Sequence, residues 1–130
     1  TLTATSVADM VVLVCTPDVV SVKDAWRRLE LLKRMGIDRD SVRLIVNRWD
    51  RNGQLTIKDI ETNLDATVAA TISVDAAGCL KAVNVGRLLR DVDKRSPAVS
   101  DISAAVELIT EGVDRVTTNA SGRSFWGLFG

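Results

Sequence analysis

The sequence predicts an α/β fold, a parallel sheet with helices on its faces. Met10–Cys15 reads MVVLVC, a continuous β-branched apolar run of the kind a strand covered on both faces carries. Helical spacing then takes over, with Val22, Ala25, Trp26, Leu29, Leu32 and Met35 recurring on one stripe. Strand and helix patterns continue to alternate as β, α, β, α, β. That order argues for a parallel sheet with right-handed crossovers.

Each element has its own signals. After the turn at Pro17-Asp18, Ser21 to Asp24 has capping-box form, and Gly36 closes the helix it opens. Trp26 falls on that helix's buried stripe, while Arg27, Arg28, Lys33 and Arg34 form a solvated face. The second strand is Val42–Val46, VRLIV, and the loop Asn47 to Leu55 that follows turns at Asn52-Gly53. Thr56 and Asp59 open a short helix. A third apolar run, Thr67 to Val74, is bounded by Asp65 and Asp75, and within it Thr67 to Ile72 is expected to lie beside the second strand. A helix over Ala76 to Ala82, a loop through Gly86 and RDVDKR, and a last helix capped by Ser96-Pro97 and reaching about Val113 complete the pattern. An interior strand needs a partner on each side, and both later strands fit on one side of Met10–Cys15. Upstream strands, or pairing with another chain, are therefore expected on the other.

Composition narrows the chemistry. The chain has 130 residues, 46% of them hydrophobic, which suits one domain with a proper core. Seventeen basic and seventeen acidic residues cancel, so no global field selects nucleic acid as a partner. There is no histidine, and Cys15 and Cys79 are the only cysteines, so zinc sites, Cys-His nucleophiles and serine-histidine triads cannot be assembled from this chain. No catalytic or metal-ligating residue is assigned. Both cysteines sit in apolar contexts and read as small buried hydrophobes, which suits a reducing cytoplasm. No run approaches the ~20 apolar residues of a membrane span, and no signal peptide opens the chain. The opening TLTATSVAD, without methionine, reads as a fragment or a processed product.

In open parallel sheets ligands bind outside the carboxyl ends of the strands, here Thr16-Pro17-Asp18, Asn47-Arg48 and Ser73-Val74-Asp75. Asn47 presents a donor and an acceptor at one point, the complement of a purine edge, and Arg48 can lay its guanidinium over a ring. Two other roles for Asn47 stand beside base reading: holding its own turn, or making a protein contact. The N-R-W-D tetrad, Asn47 to Asp50, also fits the N-[KR]-x-D pattern with which GTPases read guanine through the aspartate. Trp49 fits either shielding of a base pocket or contact with a second subunit.

The ordered set ADMVVLV, SVKDAWRRLELLKRMG, VRLIVNRWD, ISVD and KAVNVGRLL, from about Ala8 to Val113, resembles the second half of a MinD/ParA-type ATPase. It most resembles the pilus-assembly branch called TadZ or CpaE. The resemblance implies a partial P-loop NTPase fold, a three-layer α/β/α sandwich, over residues 1–116, followed by an aromatic-rich tail, 117–130. It places Asn47, with Arg48 beside it, at an adenine-contacting position, and Ser73 to Asp75 on the loop flanking the base. The family usually has proline where this chain has Ser73. It implies ATP as cofactor, with magnesium held through residues upstream of this chain. It also implies homodimers, and a cytoplasmic protein at the inner membrane or pole that works with the assembly proteins of a Flp (Tad) pilus secretion apparatus. The glycine-rich phosphate loop is not in this sequence, so these 130 residues alone are not expected to hydrolyse ATP. A degenerate docking platform that has lost nucleotide binding is the alternative. The tail SGRSFWGLFG carries both phenylalanines of the chain, a composition that suits packing on a protein surface, partner docking or peripheral membrane contact.

Overall fold

The structure, a computed structural model, describes residues 7–120, and side chains through residue 111. Three strands, β1 (Val11–Cys15), β2 (Val42–Trp49) and β3 (Val68–Ser73), form one sheet in the order β1-β2-β3. Both pairings are parallel, with Val11 opposite Val42 and Cys15 opposite Val46 in the first. The helices are α1 (Val19–Arg34), α2 (Ile57–Leu64), α3 (Ala76–Asn84), α4 (Leu89–Val92) and α5 (Pro97–Ala120).

β2 is the central strand, and its pleat serves two cores. Leu44 and Val46 join Leu13, Cys15, Val22, Ala25, Ile60 and Leu64 beneath α1 and α2. Ile45, between them in sequence, faces Ile72, Ala98 and Ala105 beneath α5. Alternation by two puts successive residues on opposite faces, so one apolar run supports helices on both sides. This is the three-layer arrangement.

Local chemistry sets the ends of the elements. Asp18 caps α1 by accepting the Ser21 N–H at 2.8 Å, so the cap lies three residues before the expected Ser21. Gly36, at φ +75°, ends it, and the Ile37 N–H returns to the Leu32 carbonyl at 3.1 Å. Thr56 and Asp59 open α2 as expected, and the structure shows that they do so as a reciprocal capping box. Asp65 closes α2 in the left-handed region, where Arg39 holds both its carboxylate and its carbonyl.

Several expectations are corrected. Val12 and Val14 of β1 are 38% and 54% exposed, because α5 covers β3 and β2 but no described element covers this face of β1. Trp26 is half-exposed: the helical stripe points it toward α2, but α2 leaves it at the rim of a groove shared with Val19, Leu55 and Asn63. Cys79 is exposed, since α3 buries Ala82 alone and leaves Leu80 and Val83 open. β2 runs on to Trp49, and the last helix is continuous to Ala120. The aromatic segment 121–130 lies outside the described residues. No helix among the described residues is long and apolar enough to cross a membrane.

Candidate functional site

The carboxyl ends of the three strands come together at one rim of the sheet, bringing Thr16 and Asp18, then Asn47 and Arg48, then Ser73 and Asp75, into a row ordered as the strands are.

The first position is a knot of short bonds. The Thr16 N–H donates to Ser21 Oγ at 2.9 Å, and the Thr16 hydroxyl donates to the Asp18 carboxylate. The Thr16 hydroxyl is the main reason the Asp18 carboxyl lies below the usual range; the Ser21 N–H, the Val20 N–H and the positive charge of Arg48 add to it. Cys15, buried just below, has its thiol pushed up by burial and then by the Asp18 charge.

The second position is built by an irregularity of the sheet. Val46 pairs with Thr71 and Trp49 with Ser73, so Asn47 and Arg48 together oppose the single residue Ile72. That is a β-bulge, and such bulges bend a strand and re-aim its side chains. Arg48 takes φ +56°, a region glycine enters freely and a β-carbon disfavours. Its N–H is accepted by Asn47 Oδ1 at 2.9 Å. Asn47 and Arg48 are both exposed, and the Asn47 amide donors and the Arg48 guanidinium make no hydrogen bond among the described residues. The turn-holding and base-reading roles of Asn47 are compatible, because different atoms of one carboxamide carry them. Beyond the bulge the Trp49 carbonyl accepts the Val74 N–H at 3.0 Å, which locks β3's exit against β2's.

The third position is tied to α5. Asp75 caps α3 by accepting the Gly78 N–H at 2.9 Å, and a β-carbon at Gly78 would collide with that carboxylate. Its other oxygen accepts the hydroxyl of Ser96, a buried serine, at 2.5 Å. Ser96 first, and then the Gly78 N–H, hold the Asp75 carboxyl below its usual range. The Ser73 N–H donates to Asp101 of α5 at 2.8 Å. Both Asp75 oxygens therefore have internal partners, whereas Asn47 and Arg48 keep donors free toward solvent.

Sequence reading did not single out Ser96 and Asp101 as supports of this rim. Ser96-Pro97 signals a helix start, but nothing local shows that the same hydroxyl reaches Asp75, 21 residues away. A cavity of about 760 Å³ lies at the opposite, amino end of the sheet, lined by Arg39, Arg43, Lys58, Glu61, Asp65 and Thr67 among others. Arg39 and Asp65 are engaged with each other there, and Glu61 accepts the Val68 N–H.

A parallel sheet with helices on both faces and polar residues clustered at its carboxyl rim is a partial α/β fold of the P-loop NTPase kind. Solved structures that share it are a ParA family ATPase from Chlorobium tepidum TLS and the cell-division protein MinD from Aquifex aeolicus, alone and in a complex with MinC. The ParA likeness has a TM-score of 0.69 at 24% identity and covers 75% of this chain and 41% of that one. MinD alone gives 0.68 at 29% identity over 82% of this chain and 46% of that one. The MinC:MinD complex gives 0.68 at 29% identity over 81% and 44%. This chain spans less than half the length of these proteins. No protein-family model and no curated protein matches it.

Proposed function

We propose that this chain is the base-side portion of a ParA/MinD-type ATPase, with Asn47 and Arg48 meeting the adenine and Asp75 shaping the flanking loop. The observation that carries this reading is the bulge at the carboxyl end of the central strand. It presents the free donors of Asn47 and Arg48 at the rim where open parallel sheets take their ligands. The likeness to solved ParA and MinD structures supports ATP as the nucleotide. Phosphates and magnesium would be held by polypeptide outside these residues, since the sequence has no glycine-rich phosphate loop. A role in assembling a Flp-type pilus apparatus, as a homodimer that touches the inner membrane through segment 121–130, extends the same proposal and rests on the resemblance of the ordered sequence segments.

A second reading, a docking platform without nucleotide, is favoured by one observation. Leu80, Val83, Val85 and Leu88 stand 55–76% exposed on and just after α3, an apolar surface suited to a protein partner. Titration of the full-length protein with MgATP and MgGTP separates the readings. The ATPase reading expects ATP to bind in preference to GTP. It expects Asn47→Ala to weaken ATP binding about 2- to 10-fold for each hydrogen bond lost. Wild-type protein that takes up neither nucleotide leaves the docking platform. Preference for GTP would move the base to Asp50, whose Oδ1 accepts the Asn52 N–H at 2.9 Å.

A further inference from the structure

The helix α3 carries its apolar residues on the outside. Ala76, Cys79, Leu80 and Val83 recur at helical spacing on one stripe, and Ala82, the residue α3 buries, lies off it. Leu80 and Val83 are 62% and 76% exposed. Gly86, at φ +63°, ends the helix as the Arg87 N–H returns to the Ala82 carbonyl at 3.0 Å. Beside that turn Val85 and Leu88 are also more than half exposed, while Leu89 of α4 packs inward on the core beneath α5.

The same segment is rich in positive charge. Between Ala76 and Arg95 stand five cations, Lys81, Arg87, Arg90, Lys94 and Arg95, against the two carboxylates Asp91 and Asp93, a net +3 in a chain whose total is zero. All five cations are exposed. Asp93 accepts the Arg95 N–H, and Arg90 lies 3.9 Å from Asp91, the one ion pair these five make among the described residues. The ends of the segment are fastened together, because Asp75 caps α3 and also accepts the Ser96 hydroxyl. Apolar exposure by itself suits a protein partner. Cations interleaved with it in sequence select an anionic one, and a stripe that projects, where a docked helix would need a groove, suits a soft interface.

We propose that the α3–α4 segment is a contact face for an anionic lipid surface. Leu80, Val83, Val85 and Leu88 enter the boundary between headgroups and acyl chains, and the five cations meet the lipid phosphates. Each Lys or Arg close to an anionic leaflet strengthens such binding about fivefold, and the apolar side chains add the part that salt does not screen. The face is separate from segment 121–130, whose single cation is Arg123, and it holds whether or not the chain takes a nucleotide.

The test is flotation of the full-length protein with vesicles of mixed phosphatidylglycerol and phosphatidylcholine, beside vesicles of phosphatidylcholine alone. The protein is expected to float with the anionic vesicles and less with the neutral ones. Arg87→Gln and Lys94→Gln should each weaken that binding about fivefold, and the Leu80→Gln, Val83→Gln pair should weaken it further. All four side chains are exposed, so Tm is expected to stay at the wild-type value. Protein ending at Ala120 should keep the same sensitivity to these substitutions. Full-length protein that ignores anionic vesicles overturns the proposal and leaves the face to a protein partner. Binding that ignores all four substitutions and disappears with residues 121–130 overturns it in favour of the tail. Binding that responds to the two cation changes but not to the apolar pair overturns insertion.

Discussion

Ser96 donates its hydroxyl to the Asp75 carboxylate at 2.5 Å, and through that bond the first turn of α5 is fastened to the end of β3. Ser96 is 2% exposed, so its side of the bond is shielded from water, and a second bond runs from the Ser73 N–H to Asp101 of α5. Together they keep the β3–α3 loop beside the bulge of β2.

The Ser96–Asp75 bond has a pH signature. The folded-state pKa of Asp75 is lowered, so its stabilising effect is fully present above the ordinary carboxylate value of about 3.9 and is lost as pH falls through the folded value below it. Ser96→Ala removes the largest cause of that shift. The gap in Tm between wild type and Ser96→Ala is expected to be widest near neutral pH and to narrow below about pH 4. Melting curves across that range check it, and a gap that stays constant with pH would exclude the linkage.

Ile60 of α2 is 1% exposed and among the largest fully buried side chains. It packs in the core that contains Leu13, Val22 and Val46, away from the carboxyl rim. Ile60→Ala is expected to cost about 2–5 kcal/mol of stability through lost burial and the cavity left behind. Chemical denaturation measures the loss, and a cost under about 1 kcal/mol would contradict this packing.

The two cysteines are expected to react in sequence. Cys79 is exposed on α3, whereas Cys15 is 3% exposed and its thiol is pushed up by burial and by Asp18. A thiol reagent applied to native protein, read by peptide mass mapping, should label Cys79 first and Cys15 only on denaturation. Equal labelling rates would show that β1 is not packed beneath α1.

Among the described residues β1 pairs on one side only, and Val14 on its uncovered face is 54% exposed. An apolar edge strand of this kind templates association. The 130-residue chain is expected to self-associate, and Val14→Lys to lower that tendency without unfolding it. Sedimentation of the two proteins at equal concentration decides, with unchanged association as the contrary result.

Much of the architecture was legible because β2's apolar run serves two faces at once. Strand, helix and turn signals fell in the order the parallel sheet requires, and the Thr56–Asp59 box marked its helix start directly. Residues whose state depends on distant neighbours were harder to read. The stripe of α1 shows which way Trp26 points but not that α2 stops short of covering it. MVVLVC carries the apolarity of a strand covered on both faces, yet exposure depends on what packs there, and Val12 and Val14 face no described element. At the candidate site, the strand-end rule located Asn47, Arg48 and Asp75. The bulge comes from the register of β2 against β3, and the Ser96 tie spans two helices, so neither has a local signature.

Hydrogen exchange on the full-length protein, with and without saturating MgATP, tests the nucleotide reading most directly. Slower exchange at the amides of residues 46–49 and 73–76 is expected on ATP addition, with the α1–α2 face unchanged, because the base would sit on the bulge and the β3–α3 loop at the carboxyl rim. ATP that binds and protects other segments while leaving these amides at their free rates would contradict the assignment of Asn47 and Arg48 to the base.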